Sequence, residues 1–421
     1  MERPIRRTSR IFLVVLIAVI FLVGGFTAGV ATDRAGMVPG APICGPTSAP
    51  QQFGVFWEAW NLVQKYYVDR AAINDTNMTY GAISGMLDSL GDTGHTRFLS
   101  PQALRDEEEA LSGKFEGIGA HIMLRDGRPT IVAPIPGSPA LEAGIKPGDV
   151  ILKVDGKDVT GLSLDQVVNQ VRGPAGTSVT LTILHPDAST PTDITVERAQ
   201  INIPSVSWAI VPGTSVAHVW VSQFADGATT ELVAALQAAR KAGATAVALD
   251  LRDDPGGLRD EAVGVASQFL QSGNVLIEVD AQGHRTEYPV KPDGAALDTP
   301  LVVLVNEGTA SSAEIVAGAI QDHKRAQIVG ETTTGTGTVL SIFHLSDGSA
   351  VFLGTEGWLT PDGREIWHHG IAPDIVVPMA PGVLPLIPEQ EQGMSPGQLQ
   401  SSQDAQLLRA VQLLSQPAPA R

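Results

Sequence analysis

The run Gly308-Thr309-Ala310-Ser311-Ser312-Ala313-Glu314-Ile315 sets small residues and paired hydroxyls between an apolar strand, Leu301 to Val305, and an apolar helix. A serine at such a junction is placed for nucleophilic attack, because the first turn of a helix leaves backbone N–H groups without intrahelical partners. Acyl transfer by serine needs two more parts: a base for the hydroxyl proton, and N–H donors for the oxygen that becomes an anion. The turn Pro255-Gly256-Gly257 can supply donors, since a backbone free of side chains can approach a substrate carbonyl. The N–H groups of Ser312 and of Gly256 or Gly257 are therefore the candidate oxyanion hole. For the base, His95 has a pKa in the useful range. Lys324 lies near in sequence but past the far end of the serine helix, and Glu356 could orient or replace a base. The plainer alternative makes Ser311 and Ser312 helix caps and the glycines a loop.

These groups need a scaffold, and from Ile201 to Pro378 strands and helices alternate. Val216 to Val221, Ala246 to Leu251 and Leu301 to Val305 read as strands, Thr229 to Ala242 and Glu261 to Phe269 as helices. Alternation of this kind implies helices packed on a sheet, with loops at the strand ends holding the site. From Gly113 to about Gln200 the pattern changes to short β-rich runs at Ile131–Ala133, Val150–Val154 and Val179–Leu184, with helical patches at Pro139–Ala143 and Ser163–Val171. Ahead of these, Phe53, Phe56, Trp57, Trp60, Val63 and Tyr67 recur at spacings of three and four, as do Tyr80, Ile83, Met86, Leu87 and Leu90. Two or three helices ending before Pro101 are expected there. The end of the chain, from Ala380 to Arg421, is rich in Gln, Ser and Pro, with one helix candidate at Leu407–Leu414.

Two resemblances are carried by these residues. Gly137-Ser138-Pro139-Ala140 followed by Ala143-Gly144-Ile145-Lys146-Pro147-Gly148-Asp149-Val150-Ile151 closely resembles a PDZ domain of the kind found in bacterial proteases. In that fold Gly117-Ile118-Gly119-Ala120 would bind a peptide's C-terminal carboxylate. The strand through His121 and Ile122 would then add the peptide as an extra strand. The segments Asp250 to Gly257, Val305 to Asp322, Val329 to Val339 and Gly370 to Ile375 resemble the C-terminal processing (tail-specific) serine proteases of family S41. This resemblance covers roughly Phe53 to Pro378. It implies Ser311 as the nucleophile and Arg172 as a candidate link between PDZ domain and active site.

The same resemblance fails at the base. Thr336 stands where the family has its catalytic lysine, and Leu340 where it has a glutamine that hydrogen-bonds that lysine. A threonine hydroxyl is far too weakly basic to take a serine proton and can only position something. The wider clan includes tricorn-like enzymes that pair serine with histidine, which makes His95 in Asp92-Thr93-Gly94-His95-Thr96-Arg97-Phe98 the leading replacement. The expected function is a serine endopeptidase cutting exported proteins near their C-termini. The alternative is a catalytically inactive PDZ protein that binds peptides on a protease frame.

Composition fits this reading. The chain has 421 residues, 43% hydrophobic and 17% charged, with 44 glycines and 29 prolines: enough for two or three domains with many turns. Arg3, Arg6, Arg7 and Arg10 precede an apolar run, Ile11 to Ala31, long enough to span a bilayer. Arginines on that side place the N-terminus in the cytoplasm, so a single-pass anchor in a bacterial cytoplasmic membrane is expected, with the rest exported; the alternative is a signal peptide cleaved at Gly29-Val30-Ala31. The net charge is −17 and becomes more negative once this arginine-rich start is set aside, which argues against nucleic acid as a partner. His368 and His369 lack a carboxylate or cysteine at ligand spacing, so neither a metal nor another cofactor is expected. The chain is compatible with an oligomer. The expected organisation is a tip and anchor over 1–35, a linker over 36–52, helices over 53–112, a PDZ domain over 113–200, a ClpP/crotonase-like α/β protease core over 201–380 and a tail over 381–421.

Overall fold

A computed structural model describes residues 52–415 apart from 93, 94, 126, 136 and 187. The expected anchor at Ile11–Ala31 and nearly all of the linker lie outside the described residues. Among the described residues no helix is long and apolar enough to cross a membrane.

Two compact units divide at residues 79 and 80. The described part of the first holds the aromatic helix Gln52–Tyr66, a single turn at Arg70–Ala72 and the start of the helix Asp75–Asp88. The second unit carries everything else. After Leu99 it contains a helix missed in the sequence, Pro101–Ser112. Pro101 starts this helix instead of breaking it. Ser100 accepts the N–H of Ala103 as N-cap, and a proline in the first turn loses no hydrogen bond.

Residues 120 to 197 form a six-stranded antiparallel sheet around its own core of Ile131, Ile151, Val154, Leu181 and Ile183. The strands alternate buried and exposed residues, as in Ser178–Leu184, because one face meets the core. The strands Lys114–Gly117 and Ala199–Asn202 pair with each other where the chain enters and leaves this domain.

The core beyond residue 200 is built on a second six-stranded sheet. Its strands run in the order Val206–Ile210, Val216–Val221, Ala246–Asp250, Leu301–Val305, Gln327–Gly330 and Ile375–Val376, the first antiparallel to its neighbour and the rest parallel. The continuous burial of Ala246–Asp250 and Leu301–Val305 follows from layers on both faces. One face is covered by helices that include the serine helix, Ser312–Asp322. The other is covered by the segment expected to be a tail. Leu399, Leu407, Ala410 and Val411 are buried against Ala248, Val302, Leu304 and Val329. The polar composition of this segment conceals a docked layer, fixed by ionic contacts no local pattern reveals. His218 Nδ1 lies 2.6 Å from Glu391 and Nε2 2.9 Å from Asp250, while Arg252 bonds Asp250 and Asp404. A further sheet joins Arg97–Leu99, Ala350–Leu359, Asn274–Asp280 and Arg285–Pro289, and Thr338–His344 pairs with Ala350–Leu359 beside it.

Candidate active site

Two loops leave the carboxyl ends of neighbouring parallel strands, where open α/β sheets place their ligands. The loop after Asp250 and the loop after Val305 are stitched together. Asn306 Nδ2 donates to Asp253 at 2.8 Å, the Asp253 N–H donates to Asn306 Oδ1 at 2.9 Å, and the Ala310 N–H donates to the Asp254 carbonyl at 2.9 Å. The Gly256 backbone presses against the serine, so that a Cβ there would lie 2.6 Å from that of Ser311. Only glycine fits.

Ser311 sits at the start of its helix with φ 52° and ψ −118°, a conformation L-residues avoid. Ser311 and Glu314 form a capping box at this helix start, and Ser311 also lines the cavity beside it. The Ser311 N–H is held by Glu314 Oε2 at 2.9 Å and by the Thr336 hydroxyl at 2.5 Å.

The oxyanion candidates separate. The Gly256 N–H donates to Asp254 Oδ1 at 2.7 Å and its carbonyl accepts from the Phe224 N–H, so Gly256 contributes close approach and no donor. The N–H groups of Gly257 and Ser312 have no partner among the described residues, and both residues line the same cavity as Ser311. The Ser312 hydroxyl donates to the Gly257 carbonyl at 2.9 Å and so fixes one donor's residue against the other's.

His95 lines this cavity, which measures about 550 Å³. Its Nδ1 lies 2.5 Å from Thr338 Oγ1, and no hydrogen bond joins the ring to Ser311. Burial pushes the imidazole below its ordinary value, with Asp92 and Glu314 opposing and Arg97 assisting. A neutral ring at neutral pH follows, which is the form a base requires. The strand Thr338–His344 brings Thr338 to His95, and Leu340 makes the neighbouring wall apolar. Ile315 and Trp358 add to that wall.

The other base candidates lie elsewhere. Glu356 is hydrogen-bonded to Glu278, which together with burial raises its carboxyl above the usual range, and Glu278 also binds Arg259 and Tyr288. Among the described residues no hydrogen bond joins Glu356 to His95 or Ser311. Lys324 is exposed after the last turn of the serine helix.

Glu314, Thr338 and Asp254 were not singled out in the sequence. Glu314 carried a readable signal, since an acid three residues after a helix-opening serine has capping-box spacing. Asp254 is almost entirely buried and its Oδ2 has no partner, and burial raises its carboxyl well above the usual range.

In the domain over residues 120–197, a groove of about 210 Å³ is lined by Phe115, Ile118, Ile122, Val168, Val171 and Arg172. The N–H groups of Ile118 and Gly119 have no partner among the described residues. Gly119 has φ 75°, and a Cβ there would lie 2.4 Å from that of Ser138. Arg172 bonds Glu109 of the helix Pro101–Ser112 at 2.8 Å and stands 5.4 Å over the Phe115 ring. The same helix contributes Glu107 and Leu111 to the Ser311 cavity.

Residues 215–377 match peptidase family S41, and residues 130–184 match a PDZ domain. The chain is 39% identical over 323 residues to the carboxyl-terminal-processing protease of Synechocystis sp., covering 76% of this chain and 75% of that one. This chain belongs to peptidase family S41. It is also 33% identical over 374 residues to the carboxy-terminal processing protease CtpA of Bacillus subtilis, covering 88% of this chain and 77% of that relative. Among solved structures, the PDZ domain of the carboxy-terminal protease from Vibrio cholerae, in complex with peptide, is 35% identical. It covers 21% of this chain and 98% of that chain, with a TM-score of 0.20. His95 is the titratable ring of the cavity that Ser311 lines.

Proposed function

We propose that this S41 member is a serine endopeptidase with a histidine base, anchored in a bacterial cytoplasmic membrane and cutting exported proteins near their C-termini. The observation that carries this reading is the single cavity shared by His95, Ser311 and two unpartnered N–H donors. In this reading Nδ1–H donates to the Thr338 hydroxyl that it contacts, and the lone pair of Nε2 acts as base. Ser311 Oγ would attack the scissile carbonyl and pass its proton to Nε2. The carbonyl oxygen would be held by the Gly257 and Ser312 N–H groups, and the imidazolium would then protonate the leaving amine. Water, activated by the same ring, would release the acyl group. The groove over Ile118–Ile122 would hold a peptide's C-terminal carboxylate on backbone N–H groups, delivering the chain to the cavity through Arg172 and the Pro101–Ser112 helix. The anchor rests on Ile11–Ala31 and its flanking arginines.

A second reading is favoured by the absence of a hydrogen bond between His95 and Ser311: a PDZ protein that binds peptides without cutting them. Apo catalytic contacts often close only with substrate, so the gap does not decide between the two. Incubation of the full chain in detergent with an unfolded protein ending in apolar residues separates them. Cleavage lost in both Ser311→Ala and His95→Ala supports the peptidase, and binding without cleavage by the unaltered chain supports the second reading.

A further inference from the structure

Glu314 is fully buried in the first turn of the serine helix, among residues that are otherwise apolar or small. A buried carboxyl in such a place is costly unless it is saturated with hydrogen bonds. Here five donors reach it. Oε2 accepts the Ser311 N–H at 2.9 Å, the Thr336 N–H at 2.9 Å and the Thr336 hydroxyl at 2.6 Å. Oε1 accepts the Thr333 hydroxyl at 2.5 Å and the Gly335 N–H at 2.7 Å. Donors thus reach both carboxyl oxygens.

Thr336 is used twice in this arrangement. Its hydroxyl accepts the Ser311 N–H while donating its own proton to Glu314, and Trp358 Nε1 donates to the Thr336 carbonyl at 3.0 Å from the opposite side. Thr336 is therefore a closed part of the site. The strained φ of Ser311 persists because these bonds over-determine it.

We propose that Glu314 and Thr336 are positioning residues of the Ser311–His95 pair. Together they hold the Ser311 backbone that presents Oγ, and they set a buried carboxyl group beside the cavity that His95 lines. The inference rests on the histidine-base reading above. The charged groups facing His95 are Asp92 on its own loop, Arg97 on the following strand, Glu107 of the Pro101–Ser112 helix, paired with Arg97 at 2.9 Å, and Glu314. Asp92 and Glu314 favour the cation, while Arg97 and burial oppose it.

The test uses the full chain in detergent, comparing Thr336→Val, Thr336→Ser and Glu314→Gln for kcat, KM and the His95 titration followed by NMR. Thr336→Val is expected to lower kcat about 10- to 100-fold with KM nearly unchanged, since one bond to a charged group is lost. Thr336→Ser, which keeps the hydroxyl, should stay within about 3-fold of the unaltered chain. Glu314→Gln should move the His95 titration to lower pH, a change that a purely structural carboxylate would not produce. Because an amide would set donor against donor in this pocket, Thr336→Val decides if Glu314→Gln does not fold. Unchanged kcat in Thr336→Val, or an unmoved His95 titration in folded Glu314→Gln, overturns the proposal. A chain without turnover defeats the peptidase reading instead, and the titration still reports on Glu314.

Discussion

His95 Nδ1 lies 2.5 Å from the Thr338 hydroxyl, which leaves Nε2 as the ring nitrogen with no hydrogen-bond partner among the described residues. In the proposed mechanism Nδ1–H donates to Thr338, which then does for His95 what a carboxylate does in a familiar triad, without a charge. Thr338→Val should lower kcat roughly 10- to 100-fold, by loss of the orienting bond and of the tautomer it selects. Thr338→Ser should retain most activity. Steady-state kinetics on a peptide substrate check both, and equal rates for the valine and serine variants would count against the role.

Asp254 carries a pH dependence opposite to that of most carboxylates. Its folded value lies above its unfolded value because of burial, so between the two values the native state keeps a proton that the unfolded chain releases. Stability is therefore full below the unfolded value and falls as pH rises above it. Asp254→Asn removes this dependence. The stability difference between variant and parent should shift in the variant's favour by up to about 1.4 kcal/mol per pH unit above that point. Urea unfolding between pH 4 and 8 measures the slope, and parallel curves would contradict the assignment.

His218 ties the C-terminal helices to the sheet. Complete burial would push this ring down, but hydrogen bonds and charge from Asp250 and Glu391 outweigh it and hold the ring up at about 9. A raised folded value gives stability that is fully present below the unfolded value of 6.5 and is lost as pH rises through about 9. His218→Ala strands two buried carboxylates and should cost about 3–5 kcal/mol. The protection of amides in Ala405–Leu414, taken relative to their intrinsic base-catalysed exchange, should fall between pH 7 and 10 in the parent. Protection in that helix that is flat with pH would show that the contact does not hold the layer.

The peptide groove depends on one glycine. Gly119→Ala would place a methyl carbon 2.4 Å from Ser138 Cβ at a φ of 75°. Peptide affinity should fall at least about 10-fold through distortion of the carboxylate loop. Fluorescence anisotropy with a labelled peptide ending in a free carboxylate measures this against the same peptide amidated. Equal binding of the two peptides by the parent would remove the loop from the account.

Much of the fold was legible because it rests on local pattern. The buried runs Ala246–Asp250 and Leu301–Val305, the alternation in Ser178–Leu184 and the Pro-Gly-Gly turn each declare themselves within a few residues. The segment after Ala380 did not, since the pairings of Glu391 with His218 and Asp404 with Arg252 join residues more than a hundred positions apart. The family frame could be read from its motifs. Which glycine N–H remains free depended on the Asp254 side chain, and how Thr336 is used depended on Glu314. Both are tertiary relations between loops. The helix at Pro101 was missed for a different reason: proline there marks a start, and Ser100 before it was the cue.

The most direct measurement is the pH profile of kcat/KM for the full chain on an unfolded protein substrate, alongside Ser311→Ala, His95→Ala and Thr336→Lys with Leu340→Gln. The account predicts turnover by the unaltered chain with an acid limb below the ordinary histidine range of 6.5, since burial lowers His95. Turnover should be abolished in Ser311→Ala and His95→Ala, and reduced in the lysine variant, because the Thr336 clasp is broken. An unaltered chain without turnover, together with a lysine-and-glutamine variant that cuts, would contradict the histidine base and leave a peptide-binding protein on a peptidase frame.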